Sequence, residues 1–542
     1  VAGMRVADGE VPYRDFTYFY GPLAPGLSGL GVLLAGSGFG SAIAIGLLLT
    51  AGIVAATYAL GRSFLSPLGA FLAAALTLAV ALIPNNYSYV LPHTHAATLG
   101  TLLLLAFLIG LVRYAGTPAT PLLLASGAAL GLMTLTKPEV TFAATATAGL
   151  WLLLRAVARM SWRREALLLA APAAAIPALV YGGLLTVVSF DRLVFENLYP
   201  VDELRAGGDV MLGGRMPNSF HDVSVIAGYA AMYAAGAAFI VGLGLALARG
   251  GRTRRVALAV AGIGAVMAVG GALANPEALR HGLYYVYGWI PLGAAIAVVL
   301  LVRRFAAQRR AWSGEQQGLL ICATALAAVA FTAGNGFFLH APRPQMAVYY
   351  APLIAIFLAR LHLVELVRRP EVRALGAAWI AFLAAAGAGL TIMDARAETA
   401  TVRGPGGAIA ETPGEGTLYR SALAWIERST EPGDPIFVSP IMTGLNVLSG
   451  RPSPLREISM LPGALPTPED ERAAVARLDQ AGVRLAITDR RDWPGYGHTH
   501  FGGSFQRIVA AWLERNFTPA ATLRSPSAKG ERTLDVWTRR IP

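Results

Sequence analysis

The sequence predicts a polytopic α-helical membrane protein that carries a soluble α/β domain at its C-terminal end. Three observations predict this class. Hydrophobic residues make up 55% of the chain and charged residues only 14%, with a mean hydropathy of +0.54, values typical of polytopic membrane proteins. About twelve apolar runs have the roughly 18–25 residues that a helix needs to cross a bilayer. The apolar character ends near Asp394, after which strand and helix patterns alternate.

Charge and cysteine content exclude several other classes. The net charge is +12, but the arginines lie in short clusters between apolar runs, as the positive-inside rule produces, so no nucleic-acid partner is expected. Cys322 is the only cysteine, which excludes an internal disulfide and a cysteine-based zinc motif. Val1 is not followed by the pattern of a signal peptide. An alternative start codon or an absent upstream segment would account for a chain that begins with valine.

Residues 1–38 are predicted to form an external loop and an interfacial helix. The segment 8–22, called the N-terminal loop below, is polar and aromatic, is interrupted by proline and contains the charged residues Asp8, Glu10, Arg14 and Asp15. Residues 23–36 are apolar but short and rich in glycine, which favours a helix lying in the membrane interface. A charged loop next to a membrane domain is a candidate reaction site.

Residues 39–393 are predicted to form the transmembrane domain. The predicted spans are 39–60, 66–83, 96–113, 119–136, 139–155, 166–189, 223–248, 255–273, 283–302, 317–334, 347–366 and 373–392. Their number and length predict a bundle that crosses the membrane about twelve times.

Alternating the direction of these spans places the basic clusters on one side of the membrane. That side receives Arg62, Arg113 and the arginine groups at 155–164, 249–255, 303–310 and 368–373. By the positive-inside rule it is the cytoplasmic side. The opposite, external side receives residues 1–22, 84–95, 190–222, 274–282 and 335–346 and the whole tail from Asp394. Chemistry is therefore expected on the external side.

Residues 394–542 are predicted to form a small α/β domain. The predicted strands are 436–439, 483–488 and 533–538, and the predicted helices are 471–480 and 505–515. The domain lacks a glycine-rich loop of the dinucleotide or phosphate-binding type. Asp489-Arg-Arg-Asp492 follows a predicted strand and is predicted to be a solvated turn.

Asp15, beside Arg14 in the N-terminal loop, is the first candidate for a catalytic residue. Moving a sugar from a phosphate-linked donor to a hydroxyl or amine requires a carboxylate to accept the proton and cations to hold the departing phosphate. An external carboxylate beside an arginine fits this requirement. Two structural interpretations stand beside it: the two residues are solvated loop charges, or Asp15 caps a helix.

The turn Thr136-Lys137-Pro138-Glu139 is the second candidate, predicted at the external ends of two adjacent helices. Lys137 and Lys529 are the only lysines in an arginine-rich chain. Snorkelling of a lysine to the interface is one explanation. Binding of a lipid phosphate headgroup is the functional alternative.

Three further residues are weaker candidates for substrate binding. Arg280 and Arg343 are basic groups near the external surface, which a phosphate pocket would recruit. Tyr350, at a helix entrance, fits an aromatic belt as well as a substrate wall. His93 and His95 lie close together, but no further ligands are spaced for a metal site, so a hydrogen-bonded loop pair is the favoured interpretation of these two histidines.

Short motifs at the start, middle and end of the chain resemble one family. They are Asp8-Gly-Glu-Val-Pro-Tyr-Arg-Asp-Phe16 with Tyr20-Gly-Pro-Leu23, then Leu135-Thr-Lys-Pro138, and finally Phe437-Val-Ser-Pro440 with Leu448-Ser-Gly-Arg-Pro-Ser-Pro454. The first resembles the first external loop of GT-C-fold glycosyltransferases that use polyprenyl-phosphate sugars. This family includes bacterial relatives of protein O-mannosyltransferases and of the lipid A aminoarabinose transferase.

The resemblance implies a GT-C-like fold of about thirteen spanning helices, an external active site and a lipid-linked sugar donor. It also implies an acidic pair just after the first helix, and this sequence has neither that helix nor that pair. An N-terminally truncated sequence would explain the difference, and Asp15 would then be a second active-site acid. The turn is Gly-Pro-Leu23 here, without the basic residue seen before it in some relatives.

The expected function is that of an inverting glycosyltransferase of the bacterial cytoplasmic (inner) membrane, with its C-terminal domain outside. Its partners would be a polyprenyl-phosphate sugar donor, membrane lipids and a glycan, lipid or protein acceptor. No cofactor is expected, and dependence on a divalent metal is left open. Asp15 would act as or assist the base, Arg14, Lys137 and Glu139 would contact substrate, and residues 190–222 would order over the substrates. The alternatives are a transporter or flippase of lipid-linked sugars and an inactive membrane scaffold.

Overall fold

The computed structural model describes residues 1–81, 88–92, 94–198, 251–308, 312–333, 344–363, 370–493, 498–527 and 530–540, with short stretches between 227 and 249. These residues form two compact units. The polar unit comprises described residues of Val1–Ile45, Gly183–Gly214 and Asp394–Pro542, and the helical unit comprises those of Gly46–Gly182 and Arg215–Met393. The polar unit therefore contains both the N-terminal loop and the C-terminal domain.

The described helices and strands alternate between the two units along the chain. The helices are α1 (Ala2–Ala7), α2 (Leu23–Ala35), α3 (Phe39–Gly61), α4 (Pro67–Ala81), α5 (His95–Gly116), α6 (Thr120–Met133), α7 (Pro138–Val157), α8 (Arg163–Leu184), α9 (Phe190–Leu198), α10 (Gly251–Ala274), α11 (Pro276–Gln308), α12 (Gly314–Ala333), α13 (Pro344–Leu363), α14 (Pro370–Ala397), α15 (Pro413–Ser429), α16 (Gly444–Ser449), α17 (Pro468–Gln480) and α18 (Arg507–Asn516). The strands are β1 (Ala400–Gly404), β2 (Gly407–Glu411), β3 (Phe437–Ser439), β4 (Leu485–Asp489), β5 (Phe517–Ser527) and β6 (Gly530–Arg539).

Long apolar helices make this chain a multi-pass membrane protein, as predicted. Among the described residues, seven helices are long and apolar enough to cross a membrane, namely α3, α5, α7, α8, α10, α12 and α14. Eleven of the predicted spans fall on described helices, α3–α8 and α10–α14, with ends that differ by a few residues. The remaining predicted span, 223–248, lies partly outside the described residues.

Five threonines in the spans satisfy their hydroxyl groups within their own helix. Each donates to the backbone carbonyl four residues earlier, at 2.7–3.0 Å, as seen for Thr50, Thr57, Thr77, Thr101 and Thr147. A polar group in a low-dielectric environment is costly unless it is hydrogen-bonded, and this local bond supplies the partner. Polar residues in these spans are therefore compatible with burial in the bundle or in lipid.

Loops that were predicted to share the cytoplasmic side lie together at one end of the helical unit. Arg360 donates to the Phe64 carbonyl at 2.7 Å and to Glu315 at 2.9 Å. A Cβ on Gly314 would lie 2.5 Å from Gly116 Cα, so the start of α12 and the end of α5 are in close contact. These contacts agree with the predicted alternation of the spans.

The C-terminal part of the polar unit is a small α/β domain, also as predicted. Its four-stranded sheet has the order β3-β4-β6-β5, with β3 parallel to β4 and the other pairs antiparallel. The predicted strands and helices of this domain all fall on observed elements. The β1–β2 hairpin, α15 and β5 were not predicted.

Glycines allow the two N-terminal helices of the polar unit to pack closely. A Cβ on Gly3 in α1 would lie 2.6 Å from Ser28 Cβ in α2, and a Cβ on Gly29 would lie 2.7 Å from Val6 Cγ1. Both distances are too short for a real side chain, so this contact requires glycine on each helix. The predicted helix over 23–36 is thus observed as α2, and α1 holds the start of the N-terminal loop against it.

Candidate active site

The N-terminal loop leaves α1 and folds into a tight turn. Gly9 has a φ of +88°, and the Glu10 amide donates to the Arg5 carbonyl at 2.9 Å. Tyr13 has a φ of +68°, which is uncommon for a residue with a β-carbon, and its amide donates to the Phe16 carbonyl at 2.8 Å. The turn that carries Asp15 therefore begins at a residue with a positive φ, Tyr13, and a second positive φ, at Gly9, precedes it.

Two aromatic side chains anchor this turn. Tyr13 and Phe16 are fully buried. The Tyr13 hydroxyl donates to the Tyr20 carbonyl at 2.5 Å, and the Arg5 guanidinium lies 5.1 Å from the centre of the Phe16 ring, a distance at which a cation and an aromatic face attract. The anchored turn keeps the residues between the two aromatics at the surface.

Asp15 is held in one orientation by its neighbours in the turn. Its Oδ1 accepts from Arg14 Nε at 2.9 Å, and its Oδ2 accepts from Arg14 Nη2 at 2.8 Å and from the Val11 amide at 2.7 Å. The Arg14 hydrogen bonds and the Val11 amide lower the pKa of Asp15 to about 2. Its side chain keeps 30% of its surface exposed. It is thus an accessible carboxylate that stays ionised at neutral pH.

The segment 455–458 of the C-terminal domain runs along the N-terminal loop. The Thr17 amide donates to the Arg456 carbonyl at 2.9 Å, and the Ile458 amide donates to Thr17 Oγ1 at 3.3 Å. On the other side of the turn, Arg5 donates to the Leu455 carbonyl at 2.9 Å. The loop is therefore held by a segment that is more than four hundred residues away along the chain.

Glu196 is a contact of this loop that the sequence did not indicate. It lies on α9, its side chain is 1% exposed, and its Oε1 lies 2.5 Å from Arg456 Nη2. Its Oε2 accepts from the Tyr18 amide at 3.0 Å. Burial raises the pKa of Glu196 to about 7, against the lowering effect of Arg456. No local spacing relates Glu196 to Arg456, so only the folded chain reveals this pair.

Lys137 is buried in the helical unit, at the N-cap of α7. Its side chain is 8% exposed, and its Nζ lies 3.6 Å from Glu139 Oε1 and 5.1 Å from the centre of the Tyr349 ring. Pro138 follows at the first helical position, where its missing N–H costs nothing. An ammonium covered by protein is not the geometry of a lysine that snorkels to the interface.

Two tyrosines near the start of α7 are also buried. Tyr350 follows Tyr349 on α13, and both side chains are almost fully covered. Thr332 Oγ1 donates to the Glu139 backbone carbonyl at 3.0 Å, which ties α12 to the start of α7. Glu139 Oε2 is buried and has no hydrogen-bond partner among the described residues. The start of α7 thus combines a buried cation, a carboxylate oxygen and two aromatic rings.

The structure brings the candidate residues together in two groups. Arg14 and Asp15 lie in the polar unit, and Lys137, Glu139 and Tyr350 lie in the helical unit. Arg343 and the loop 199–222 lie outside the described residues, and only the backbone of Arg280 is described, within α11. The start of the predicted substrate-covering segment, 190–198, is the helix α9.

Metal-ligating side chains are scattered in the described part of the chain. Among those residues, no group of three or more His, Cys, Asp and Glu side chains is placed to hold a metal ion.

The prediction of a solvated turn at Asp489-Arg-Arg-Asp492 is wrong for its first residue. The Asp489 side chain is fully buried, and its Oδ2 lies 2.7 Å from Arg491 Nε and 3.4 Å from Arg532 Nη2. Arg532 lies on β6, the strand beside β4, and also pairs with Glu415 at 2.5 Å. A buried carboxylate requires such partners. One of them, Arg532, is far from Asp489 in the sequence but lies on the adjacent strand of the sheet.

Comparison with known proteins finds distant similarity to solved structures. No family model and no curated protein matches the chain. An Archaeoglobus fulgidus oligosaccharyltransferase complex with Zn and sulfate is similar at 18% identity and a TM-score of 0.49, over 98% of this chain and 68% of that chain. The archaeal oligosaccharyltransferase AglB from the same organism, in complex with an inhibitory peptide and a dolichol-phosphate, is similar at 15% identity and a TM-score of 0.48, over 100% and 70%.

A bacterial structure is also similar. ArnT from Cupriavidus metallidurans, bound to undecaprenyl phosphate, matches at 14% identity and a TM-score of 0.42, over 99% of this chain and 92% of that chain. Because every TM-score is below 0.5, no residue role and no ligand is carried over from them.

Proposed function

We propose that the chain is an inverting membrane glycosyltransferase. It would move a sugar from a polyprenyl-phosphate-linked donor to a glycan, lipid or protein acceptor on the extracytoplasmic side of a bacterial inner membrane. The observation that carries the proposal is the Arg14–Asp15 pair, an accessible ionised carboxylate fixed on the polar unit of a multi-pass membrane protein. The motif resemblance over residues 8–23 supports it, and a donor that never leaves the bilayer explains the membrane scaffold.

In the proposed reaction, an acceptor oxygen or nitrogen attacks the anomeric carbon from the side opposite the phosphate. A bond forms between acceptor and sugar, the bond from the anomeric carbon to the phosphate oxygen breaks, and polyprenyl phosphate leaves with the bonding electrons. The nucleophile donates a hydrogen bond to Asp15 and loses its proton to it. Because a pKa of about 2 makes Asp15 a weak base, the proton then passes to water.

Lys137 is proposed to hold the phosphate of the donor. Its ammonium is covered by protein, and a charge in a water-poor site stabilises developing negative charge more strongly than a solvated one does. Glu139, which lies 3.6 Å away, would orient the ammonium. Tyr350, Arg280 and Arg343 are proposed as further substrate contacts.

The proposed arrangement in the membrane follows the predicted domains. Residues 1–38 would be external with α2 in the interface, 39–393 would span the membrane, and 394–542 would lie outside. Leu30, Leu33 and Leu34 on α2 expose more than half of their surface, which fits contact with lipid.

Sugar transfer in membranes tests the proposal. Full-length protein and its Asp15→Asn variant are supplied with radiolabelled polyprenyl-phosphate sugars, and the label that leaves the lipid fraction is counted. We expect transfer by the wild type and a large loss in Asp15→Asn. Undiminished transfer by Asp15→Asn would remove Asp15 from the mechanism, and the absence of transfer from every donor would contradict the proposal.

A further inference from the structure

Glu196 connects three segments of the polar unit that are far apart in the sequence. Its Oε1 pairs with Arg456 Nη2 at 2.5 Å, and its Oε2 accepts from the Tyr18 amide at 3.0 Å. The helix α9 that carries Glu196 thereby contacts both the N-terminal loop and the segment 455–458. Nearly complete burial of the carboxylate means that water does not replace these partners.

Arg456 extends this contact to the turn that bears Asp15. Its Nη2 also donates to the Tyr13 carbonyl, and its Nε donates to the Arg14 carbonyl at 3.3 Å. The Tyr13 carbonyl belongs to the residue with the left-handed conformation, a backbone state that persists only when its surroundings hold it. The guanidinium therefore fixes the two peptide groups that lead into Asp15.

The burial of this pair calls for an explanation beyond stability. The free-energy cost of removing two charges from water offsets much of their mutual attraction. A buried ion pair is therefore weak evidence for stability, and it fits a role in fixing one conformation. Here the conformation that it would fix is the turn Tyr13-Arg14-Asp15. Neither Glu196 nor Arg456 needs to contact substrate for this role.

We infer that Glu196 and Arg456 form a positioning pair that sets the orientation of the Arg14–Asp15 turn towards the acceptor. This inference rests on the proposed function. Glu196 holds the Arg456 guanidinium in place, and Arg456 donates hydrogen bonds to the carbonyls of Tyr13 and Arg14. The turn held in this way presents the Asp15 carboxylate. Loss of either partner should loosen the turn and weaken productive binding of the acceptor while leaving the donor unaffected.

The first test measures the turn itself, without activity. Hydrogen exchange is followed in the full-length protein at the Tyr13 and Asp15 amides, which donate within the turn. We expect at least tenfold faster exchange in Glu196→Ala and in Arg456→Ala. Because the two residues act as a unit, the double variant should exchange no faster than either single variant.

A matched control separates positioning from general loss of stability. Arg532 and Glu415 form another largely buried ion pair in the polar unit, also 2.5 Å long, between β6 and α15. Glu415→Ala should leave exchange in the turn unchanged. Glu196→Gln, which keeps the size of the side chain and one acceptor oxygen, should give intermediate exchange and serves if Glu196→Ala fails to fold.

Kinetics then connect the turn to transfer. We expect Glu196→Ala to raise the acceptor KM at least tenfold with the donor KM unchanged, and Glu196→Gln to restore part of the loss. Unchanged exchange in both folded Glu196 variants would overturn the inference, and so would equal changes in the donor and acceptor KM values. If exchange rises but no variant and no wild type transfers sugar, the proposed function fails while the structural role of the pair stands.

Discussion

Asp15 and Lys137 are the two charges that the sequence singled out, and the structure treats them in opposite ways. Asp15 lies on the polar unit with 30% of its side chain exposed, and two nitrogens of the adjacent Arg14 donate hydrogen bonds to its carboxylate. Lys137 lies in the helical unit with 8% of its side chain exposed, against a tyrosine ring and 3.6 Å from a carboxylate. An accessible charge can exchange its partner for a substrate, whereas a buried one must be compensated before substrate arrives.

The largest expected effect follows from the buried charge. Lys137→Met should lower kcat/KM for the donor by about 10²–10³, the usual cost of removing one preorganised stabilising group. Steady-state transfer with a varied donor concentration measures it.

Arg155 provides the matched control for Lys137. It is also a buried cation of the helical unit, 4.9 Å from the Trp151 ring and 3.1 Å from Glu165. Arg155→Met should lower stability but leave kcat/KM per folded molecule within about threefold. Equal losses in the two variants would mean that Lys137 is structural.

The second-largest effect is expected for the accessible carboxylate of Asp15. Asp15→Asn should lower kcat/KM for the acceptor by about 10², at the lower end of what a group that accepts a proton contributes. Glu10→Gln, which alters another carboxylate of the N-terminal loop, paired with Arg5, is the control and should change little. A loss in Glu10→Gln as large as that in Asp15→Asn would point to loop stability.

The pH dependence of stability gives the third effect, through Glu196. Burial raises its pKa to about 7, so the folded state keeps a proton that the unfolded state, with an ordinary glutamate pKa, releases. The stabilising contribution is therefore complete below the unfolded pKa and is lost as pH rises through about 7. Between pH 5 and 8 we expect a loss on the order of 2 kcal/mol. Denaturant unfolding of the Glu196→Gln variant at several pH values should lack this loss of stability. If the variant shows the same pH dependence as the wild type, other groups cause the loss.

The smallest effect is expected for the accessible ion pair. Arg14→Met should leave the free energy of unfolding almost unchanged, because exposed ion pairs contribute little. Denaturant unfolding of the purified protein measures it. A much larger loss would mean that the turn depends on Arg14 for its fold.

Long apolar runs and clustered arginines were sufficient to predict the helical unit from the sequence, because both signals are local. The N-terminal loop could likewise be proposed as a site from the sequence, because Arg14 and Asp15 are adjacent residues. The β1–β2 hairpin was missed because its strands, Ala400–Gly404 and Gly407–Glu411, are short and mostly exposed, so they lack a strong alternation of apolar and polar residues.

Contacts between distant segments explain the remaining differences. Glu196 and Arg456 are separated by 260 residues, and no spacing rule relates them. Asp489 follows the predicted strand 483–488, where a run of charges is typical of a surface turn. In the structure it is the last residue of β4, and Arg532 on the neighbouring strand β6 covers it. Burial of a charge depends on partners that only the folded chain brings together.

The central claim is that this chain transfers sugar from a polyprenyl-phosphate donor. The most direct measurement reconstitutes the purified full-length protein in liposomes with a labelled donor and candidate acceptors, and counts both products. The account predicts one polyprenyl phosphate released for each sugar transferred, with both products lost in Lys137→Met. Movement of intact donor between leaflets without release of polyprenyl phosphate would contradict it and identify a flippase.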